Sequence, residues 1–291
     1  MPNLKEIRNR ITSVGSTMQI TSAMKMVSAA KLKRAQDAIT QLRPYAEKLQ
    51  EILGNLSASL DLSENAYSDQ REAKNILIIS ITSNRGLCGG FNNNIIKRVN
   101  YLVNTEYADK NVHVLCLGKK IKDVYKRTPN YYINDSIAHV EDIFADLSFD
   151  NVAVIANDMM ERFTAKEFDK VVIVYNKFLN AASQEVITEQ FLPIIPAAQD
   201  DNKAVGDYIF EPSKTEIVED LIPKSLKIQL FKAILDSNAS EHGARMTAMH
   251  KATDNAKELQ RNLKLSYNKA RQAAITNEIL EIVGGAEALN G

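Results

Sequence analysis

The loop after the first long apolar run has the residue types closest to those of a chemical site. Its sequence, SNRGLCGGFN (residues 83–92), places Gly86, Gly89 and Gly90 soon after a run rich in β-branched residues. Glycines in such a loop can let backbone amides bind a phosphate group. The spacing is not G-x-G-x-x-G, no G-K-[ST] follows, and no acidic residue ends the next apolar run to bind a ribose. We therefore interpret these glycines as turn residues that allow close backbone packing.

Cysteine and histidine form no catalytic or metal-binding pattern. Cys88 and Cys116 have no histidine nearby in sequence, and we predict that both are small buried residues. His113 lies in a predicted strand and His139 precedes a predicted helix, without further ligands at metal-binding spacing. Two cysteines cannot form a disulfide framework, which is typical of a reducing compartment. The sequence predicts no catalytic site, no metal and no cofactor.

Charge is balanced over the whole chain but not along it. The 291 residues include 36 basic and 36 acidic side chains, and 45% are apolar. Residues 1–60 carry a net charge of +5, residues 61–239 carry −6 and residues 240–291 carry +1. Of 19 Phe and Tyr, 16 lie between Tyr67 and Phe210, which predicts a globular middle between non-globular ends. With no signal peptide, spanning segment or net positive charge, we expect a soluble intracellular protein that does not bind nucleic acid.

Both ends have apolar residues at heptad spacing. In a 3,4 repeat from Leu4 to Leu60, 14 of 17 positions are apolar, and from Ile228 to Leu280 the number is 11 of 16. Repeats of this length predict a left-handed coiled coil. Because the two helices flank an insert in one chain, we expect them to pair in antiparallel orientation.

Proline and glycine predict where these helices bend and end. We expect Pro44 to kink or interrupt the first helix. Pro212 precedes a predicted short helix, and Pro223 is suited to the first turn of a second, longer one. Gly284 and Gly285 are suited to end that helix.

Polar residues interrupt both repeats at one place each. Thr21, Lys25 and Ser28 interrupt the first repeat, and Asn238, His242 and Arg245 interrupt the second. Around the first gap, apolar residues cover most of the helix circumference, and residues 1–36 hold seven basic side chains against one acidic. One interpretation is a solvated helix with a slipped register. The other, which accounts for charge and apolar surface together, is a basic shaft enclosed by another protein.

The middle of the chain is predicted to be an α/β domain. Strands are predicted at 75–82, 112–117, 170–176 and 185–192, with a short one near 130–133, and the last two long strands as a hairpin. Helices are predicted at 93–107, 119–127 and 140–163. This alternation predicts a mostly parallel, Rossmann-like sheet with helices on both faces. The predicted domains are an N-terminal coiled-coil helix (1–62), a central α/β domain (63–212) and C-terminal helices that complete the coiled coil (213–291).

Several segments resemble the gamma subunit of bacterial F-type ATP synthases, and the resemblance covers the whole chain. The segments are ITSAMKMVSAAKL (20–32), SNRGLCGGFN (83–92), DYIFEP (207–212), SEHGARMTAMHKATDNA (240–256) and YNKARQAAITNEILEIVGGAEAL (267–289). The last of these contains the highly specific C-terminal pattern of the family. Asn84 stands where many members have aspartate.

The resemblance implies a noncatalytic rotor shaft that couples proton flow through a membrane ring to ATP synthesis or hydrolysis. Implied partners are the alpha and beta subunits of the catalytic hexamer, the epsilon subunit and the ring of c subunits, with one copy of this chain per complex. The implied location is the cytoplasmic face of the bacterial inner membrane, as a peripheral protein.

The resemblance also implies which residues contact those partners. The implied contacts with the catalytic hexamer are Met24, Lys25, Met26, Arg245, Met246, Arg271, Gln272, Thr276 and Glu278. Tyr208 is the implied contact at the rotor foot. The inserted cysteine pair of chloroplast-type members is absent from this sequence, so we expect no thiol switch. The alternative hypothesis is a nucleotide-binding α/β protein with a coiled-coil interaction arm.

Overall fold

Two long helices, α1 (Leu4–Ser57) and α5 (Lys214–Asn290), flank an α/β insert. The computed structural model describes residues 4–57, 65–133, 140–194 and 214–290. The chain divides into two units, Met1–Ser28 with Met246–Gly291, and Ala29–Arg245. The predicted domain limits at 62/63 and 212/213 lie outside the described residues. None of the described helices has an apolar stretch that could cross a membrane.

The unit Ala29–Arg245 is built on a four-stranded sheet. Its strands are β1 (Asn75–Ile81), β2 (Asn111–Leu117), β3 (Lys170–Phe178) and β4 (Gln184–Leu192). The strand order is β2-β1-β3-β4. β1 pairs in parallel with β2 and β3, whereas β3 and β4 form the predicted antiparallel hairpin. The fifth strand predicted near 130–133 is reduced to one bridge between Tyr131 and Val114.

The sheet is buried on both faces, which accounts for the apolar character of its central strands. In β1, Leu77, Ile79 and Ile81 face a core that includes residues of α4 and α5. Ile76 and Ile78 face a second core, which includes residues of α2 and α3. The predicted arrangement, a mostly parallel sheet between helices, is confirmed.

The helices of the insert are shorter than the sequence pattern predicts. They are α2 (Phe91–Tyr101), α3 (Lys119–Tyr125) and α4 (Phe149–Thr164). A π-helical segment, Leu102–Glu106, follows α2. The long helix predicted at 140–163 is divided, because a 3₁₀ helix (Val140–Phe144) precedes Ser148, whose hydroxyl caps α4 by accepting from Asn151 N–H.

A glycine is required where β2 ends. Gly118 has φ of +117°, and a Cβ atom at this position would lie 2.1 Å from the carbonyl oxygen of Thr82. The two chain segments approach this closely because Thr82 N–H donates to Leu117 O at 2.8 Å. The end of the central strand pair therefore depends on a residue without a side chain.

Within each unit, α1 and α5 pair in antiparallel orientation, as predicted. In the first unit, Gly15 lies against Gln260 and Thr21 against Thr253, so the sequence numbers run in opposite directions. In the second unit, Ala46 and Leu49 pack with Ile228. The coiled-coil prediction is confirmed for both pairs of helical segments.

Predictions about where the helices stop differ from the structure. α1 is not interrupted at Pro44, because its next turn is anchored by Ala46 and Leu49 in an apolar cluster; a kink at Pro44 stays a prediction. α5 is one helix with Pro223 inside it, where two helices were expected. α5 also continues past Gly284 and Gly285 to Asn290, and a Cβ atom at either glycine would meet no neighbour.

Candidate functional site

The first predicted contact region is an exposed apolar segment of α1, here called the apolar belt (residues 20–27). Ile20, Met26 and Val27 are 57–64% exposed, and Met24 and Lys25 are half-buried. Contiguous apolar side chains on a protein surface commonly mark an interaction site. The belt therefore has the properties expected of a surface that another protein covers.

Two of the three polar residues of the first heptad gap, Thr21 and Ser28, face inward and belong to the helix seam, whereas Lys25 is half-buried. Thr21 and Ser28 are buried. The Thr253 hydroxyl donates to Thr21 Oγ1 at 2.8 Å, and the Ser28 hydroxyl donates to Met24 O at 2.8 Å. Thr21 and Ser28 keep their heptad positions, so a slipped register is not needed to explain the exposed apolar residues.

The second predicted contact region lies near the end of α5. The observed helix pairing, extended toward the N-terminus, places Leu4 opposite approximately position 271. α5 therefore extends past the first described residue of α1. Arg271, Gln272, Thr276 and Glu278 are all exposed there. Five apolar residues in the same stretch are also 48–71% exposed: Ile275, Ile279, Leu280, Ile282 and Val283.

Arg245 differs from the other predicted contact residues because its side chain is buried. It is only 7% exposed and forms a 2.6 Å ion pair from Nη1 to Glu241 Oε1. Nη2 donates to the carbonyl oxygens of Arg85 at 3.1 Å and Gly86 at 3.2 Å. Arg245 thus joins α5 to the loop after β1, and its guanidinium has little surface left for a partner.

Burial also shapes the ionisation of the groups beside Arg245. Desolvation raises the pKa of the Glu241 carboxyl, although the charge and hydrogen bond of Arg245 act in the opposite direction. Desolvation, with the charges of Arg245 and Lys31, lowers the pKa of His242 to about 4. At neutral pH His242 is therefore uncharged, and its buried Nδ1 has no hydrogen-bond partner among the residues that the structure describes.

Side chains of the loop at residues 83–92 form hydrogen bonds within the loop. The Asn92 amide accepts from Ser83 N–H at 2.9 Å and donates to Cys88 Sγ at 3.1 Å. Gly89 has φ of +59°, which supports its interpretation as a turn residue. Cys88 and Cys116 are both buried, as predicted, and neither forms a disulfide within the described part of the chain. In the described part of the chain, no group of three or more His, Cys, Asp or Glu could hold a metal ion.

The remaining predicted residues divide between described and undescribed parts of the chain. Met246 is half-buried on α5, one residue after Arg245. Tyr208 lies outside the described residues. Sequence reasoning missed Glu241, although its i,i+4 spacing to Arg245 is the usual spacing of a helical ion pair. It also missed Asp236, although Lys232 lies four residues before it on the same helix; the contributions of Arg43 and Lys177 come from other elements.

Asp236 is a buried carboxyl group on α5. It is 5% exposed, and desolvation raises its pKa to about 6 despite the opposing charges of Lys232, Arg43 and Lys177. A folded-state pKa above the unfolded value means that the native protein binds this proton more tightly. The ionised form therefore destabilises the native state, and that loss develops as pH rises from about 4 through about 6.

Replacing Asp236 with asparagine is expected to stabilise the protein in a pH-dependent way. The variant should gain about 2–3 kcal/mol in free energy of unfolding at about pH 8 and nothing below about pH 4. Urea unfolding at both pH values tests this. Asp220, an exposed residue of the same helix, provides the control, because Asp220→Asn should change stability by less than about 0.5 kcal/mol. Equal effects at both pH values would contradict the prediction.

Comparison with known proteins identifies the family. The family model described as ATP synthase matches residues 3–289. The ATP synthase gamma chain of Flavobacterium johnsoniae is 64% identical over the full length of both chains, and that of Cytophaga hutchinsonii is 54% identical, also over the full length of both.

Solved structures give the same fold. A cryo-EM structure of the Euglena gracilis mitochondrial ATP synthase rotor matches 94% of this chain and 98% of that chain, with a TM-score of 0.62 and 23% identity. In a second rotational state of that enzyme, the match covers 98% of this chain and 94% of that chain, with a TM-score of 0.65 and 24% identity. From the family model and the bacterial relatives, this chain belongs to the ATP synthase gamma chain family.

Proposed function

We propose that this chain is the noncatalytic central rotor shaft of an F-type ATP synthase. It couples rotation of a membrane ring, driven by proton flow, to conformational cycling of the catalytic subunits. The observation that carries the proposal is the apolar belt, which lies on the outside of a paired helix, where the helical partner does not cover it. Membership of the ATP synthase gamma chain family indicates that the protein covering this surface is part of a rotary ATP synthase.

The physical basis of coupling is a difference in contacts. A shaft inside a ring of similar subunits presents a different face to each of them. Each subunit then has its open and closed states biased by the face that it meets. The apolar belt occupies one side of α1, so its contacts differ with rotational angle. We propose that Met24, Lys25, Met26 and Met246 form the lower contact with the catalytic hexamer.

We propose a second contact at the exposed end of α5. Arg271, Gln272, Thr276 and Glu278 are available there for polar contacts, beside exposed apolar residues. A single helix that extends past its partner can enter a narrow opening more readily than a helical pair. The terminal apolar residues, including Leu280 and Ile282, suit an apolar bearing surface in the surrounding hexamer.

In this proposal Arg245 acts indirectly. Its guanidinium fixes the loop carbonyls of Arg85 and Gly86 to α5 and so supports any partner contact that the loop makes. Exposed Leu87, at the next position, has a left-handed backbone conformation with φ of +63°, which is uncommon for leucine. The Arg245 contacts therefore hold a strained loop with an apolar side chain at its surface.

Further partners are the alpha, beta and epsilon subunits and the ring of c subunits, with Tyr208 at the foot near the ring. The location is peripheral, on the cytoplasmic face of a bacterial inner membrane. These assignments rest on family membership and on the resemblance at residues 207–212.

Purification of the assembled enzyme tests the function. The chain should co-purify with a hexameric ATPase at one copy per complex, because a single shaft fits the axis of a ring. The isolated chain should hydrolyse no ATP. Quantitative mass spectrometry of the intact complex gives the copy number. Three copies per complex, or complete absence from it, would contradict the proposal.

A further inference from the structure

A cavity of about 240 Å³ lies between α1, β3 and α5 in the unit Ala29–Arg245. Its apolar lining is formed by Ile39, Leu42, Ala46, Phe178 and Leu235. A water molecule occupies about 30 Å³ of liquid, so the volume suits a small ion together with a few water molecules. Nothing in the proposed rotor function uses this cavity.

The charged lining of the cavity is mainly cationic. Arg43 comes from α1, Lys177 from β3 and Lys232 from α5, and Asp236 is the single acidic residue among the described side chains of the lining. Three cations contributed by three separate elements are brought together by the fold, because no local sequence pattern places them side by side. With one carboxylate among them, the described side chains of the lining carry an excess of positive charge whether or not Asp236 is ionised.

The other charged group that faces Asp236 is already engaged. Glu189 of β4 accepts from the Tyr175 hydroxyl at 2.9 Å and from Gln229 Nε2 at 2.7 Å. Both of its carboxylate oxygens therefore have donors, and Glu189 does not line the cavity. It lessens the positive potential but leaves Arg43, Lys177 and Lys232 available to a ligand.

Asp236 has an unusual position for a buried acid. It is 5% exposed, and among the described residues desolvation and the charges of Lys232, Arg43, Lys177 and Glu189 act on its carboxyl, without a side-chain hydrogen bond. A buried carboxyl without donors is costly when ionised, whereas its protonated form has an O–H that needs an acceptor. An anion in the cavity would supply that acceptor and would also offset part of the charge of the three cations.

We propose that this cavity binds a small oxyanion, such as sulfate or phosphate, through Arg43, Lys177 and Lys232, and that Asp236 takes up a proton when the anion binds. The protonated carboxyl then donates a hydrogen bond to an oxygen of the anion. Ionised Asp236 would instead repel the same oxygen. Anion affinity is consequently linked to pH through a residue that lies inside the site.

Calorimetric titration of the full chain with sodium sulfate tests the site at constant ionic strength. Sulfate is chosen over phosphate because its own charge does not change between weakly acidic and neutral solution. If only the protonated form binds, affinity should be at least about 10-fold higher at about pH 5.5 than at about pH 7.5. Asp236→Asn should bind sulfate with little dependence on pH.

Two lysine variants separate this site from general surface charge. Lys232→Gln should weaken sulfate binding at least about 5-fold at the lower pH, because a charged hydrogen bond to the anion is lost. Lys224→Gln, which removes an exposed lysine of the same helix, should leave the affinity unchanged. Circular dichroism confirms that each variant is folded before titration.

Three results would overturn the proposal. They are the absence of saturable sulfate binding to the folded wild-type chain, an affinity that does not depend on pH, and equal losses in Lys232→Gln and Lys224→Gln. None of these results bears on the rotor function, which the composition of the assembled complex tests separately.

Discussion

Replacing Arg245 with alanine should lower the free energy of unfolding of the unit Ala29–Arg245 by about 3–5 kcal/mol. The change removes one partner of a 2.6 Å ion pair and leaves the Glu241 carboxyl buried without its cation. It also removes the donor to the carbonyl oxygens of Arg85 and Gly86. The pKa of Glu241, which burial already raises, should rise further, so the loss should shrink as pH is lowered.

Tyrosine fluorescence during urea unfolding provides the measurement. The chain has no tryptophan, and nine of its ten tyrosines lie in the affected unit. The double variant Glu241→Gln/Arg245→Met should lose less stability than Arg245→Ala, because no buried charge is left unpaired. Arg34→Ala, at an exposed position of α1, should stay within about 0.5 kcal/mol of the wild type. Equal losses in Arg34→Ala and Arg245→Ala would contradict the assigned role.

Thiol labelling distinguishes local opening of the loop from global unfolding. Cys88 lies in the loop that Arg245 holds, whereas Cys116 lies in the central strand β2. In Arg245→Ala, the ratio of the Cys88 labelling rate to the Cys116 labelling rate should be higher than in the wild type, because the loop can open while the sheet stays intact. If both thiols became faster by the same factor, the effect of Arg245 would be global.

The sheet and the paired helices were predictable because their signals are local and repeated. Strand β1 (Asn75–Ile81) contains the apolar run Ile76–Ile79, in which three of the four residues are β-branched, and this is typical of a strand buried on both faces. The heptads of α1 and α5 extend over many turns, so a few polar positions did not hide them. Even Thr21 and Ser28, which interrupt the apolar repeat, keep their places in the helix seam.

Helix ends were harder to predict because tertiary packing overrides local preference. A proline inside a helix costs about 3 kcal/mol or more, yet α1 continues through Pro44 into the packed turn of Ala46 and Leu49. Gly284 and Gly285 have the composition of a helix end, but α5 continues through both.

The partners of individual charged residues were the least predictable feature. From sequence, an arginine in a heptad gap can face another protein or a loop of its own chain. Arg245 donates a hydrogen bond to the carbonyl oxygen of Arg85, which is 160 residues away in sequence, and no local sequence pattern predicts this contact. Asp236 and Lys232 are neighbours on α5, but Arg43 and Lys177 join them only because α1 and β3 converge there.

A photocrosslinking amino acid at position 24 tests the rotor proposal most directly. Met24 lies in the apolar belt, which in our proposal touches the catalytic hexamer and moves past its subunits during turnover. Val124, an exposed residue of α3, provides the matched control outside the proposed contact. p-Benzoylphenylalanine is placed at either position in the assembled complex, which is then irradiated and separated into crosslinked and free fractions.

The measured quantity is steady-state ATP hydrolysis by the crosslinked fraction. With the label at position 24, the crosslink should join this chain to a hexamer subunit and abolish nearly all hydrolysis, because a fixed shaft cannot take each catalytic site through its states in turn. With the label at position 124, no crosslink to the hexamer should form and hydrolysis should continue. Full hydrolysis by complexes in which position 24 is covalently joined to the hexamer would contradict the rotor proposal.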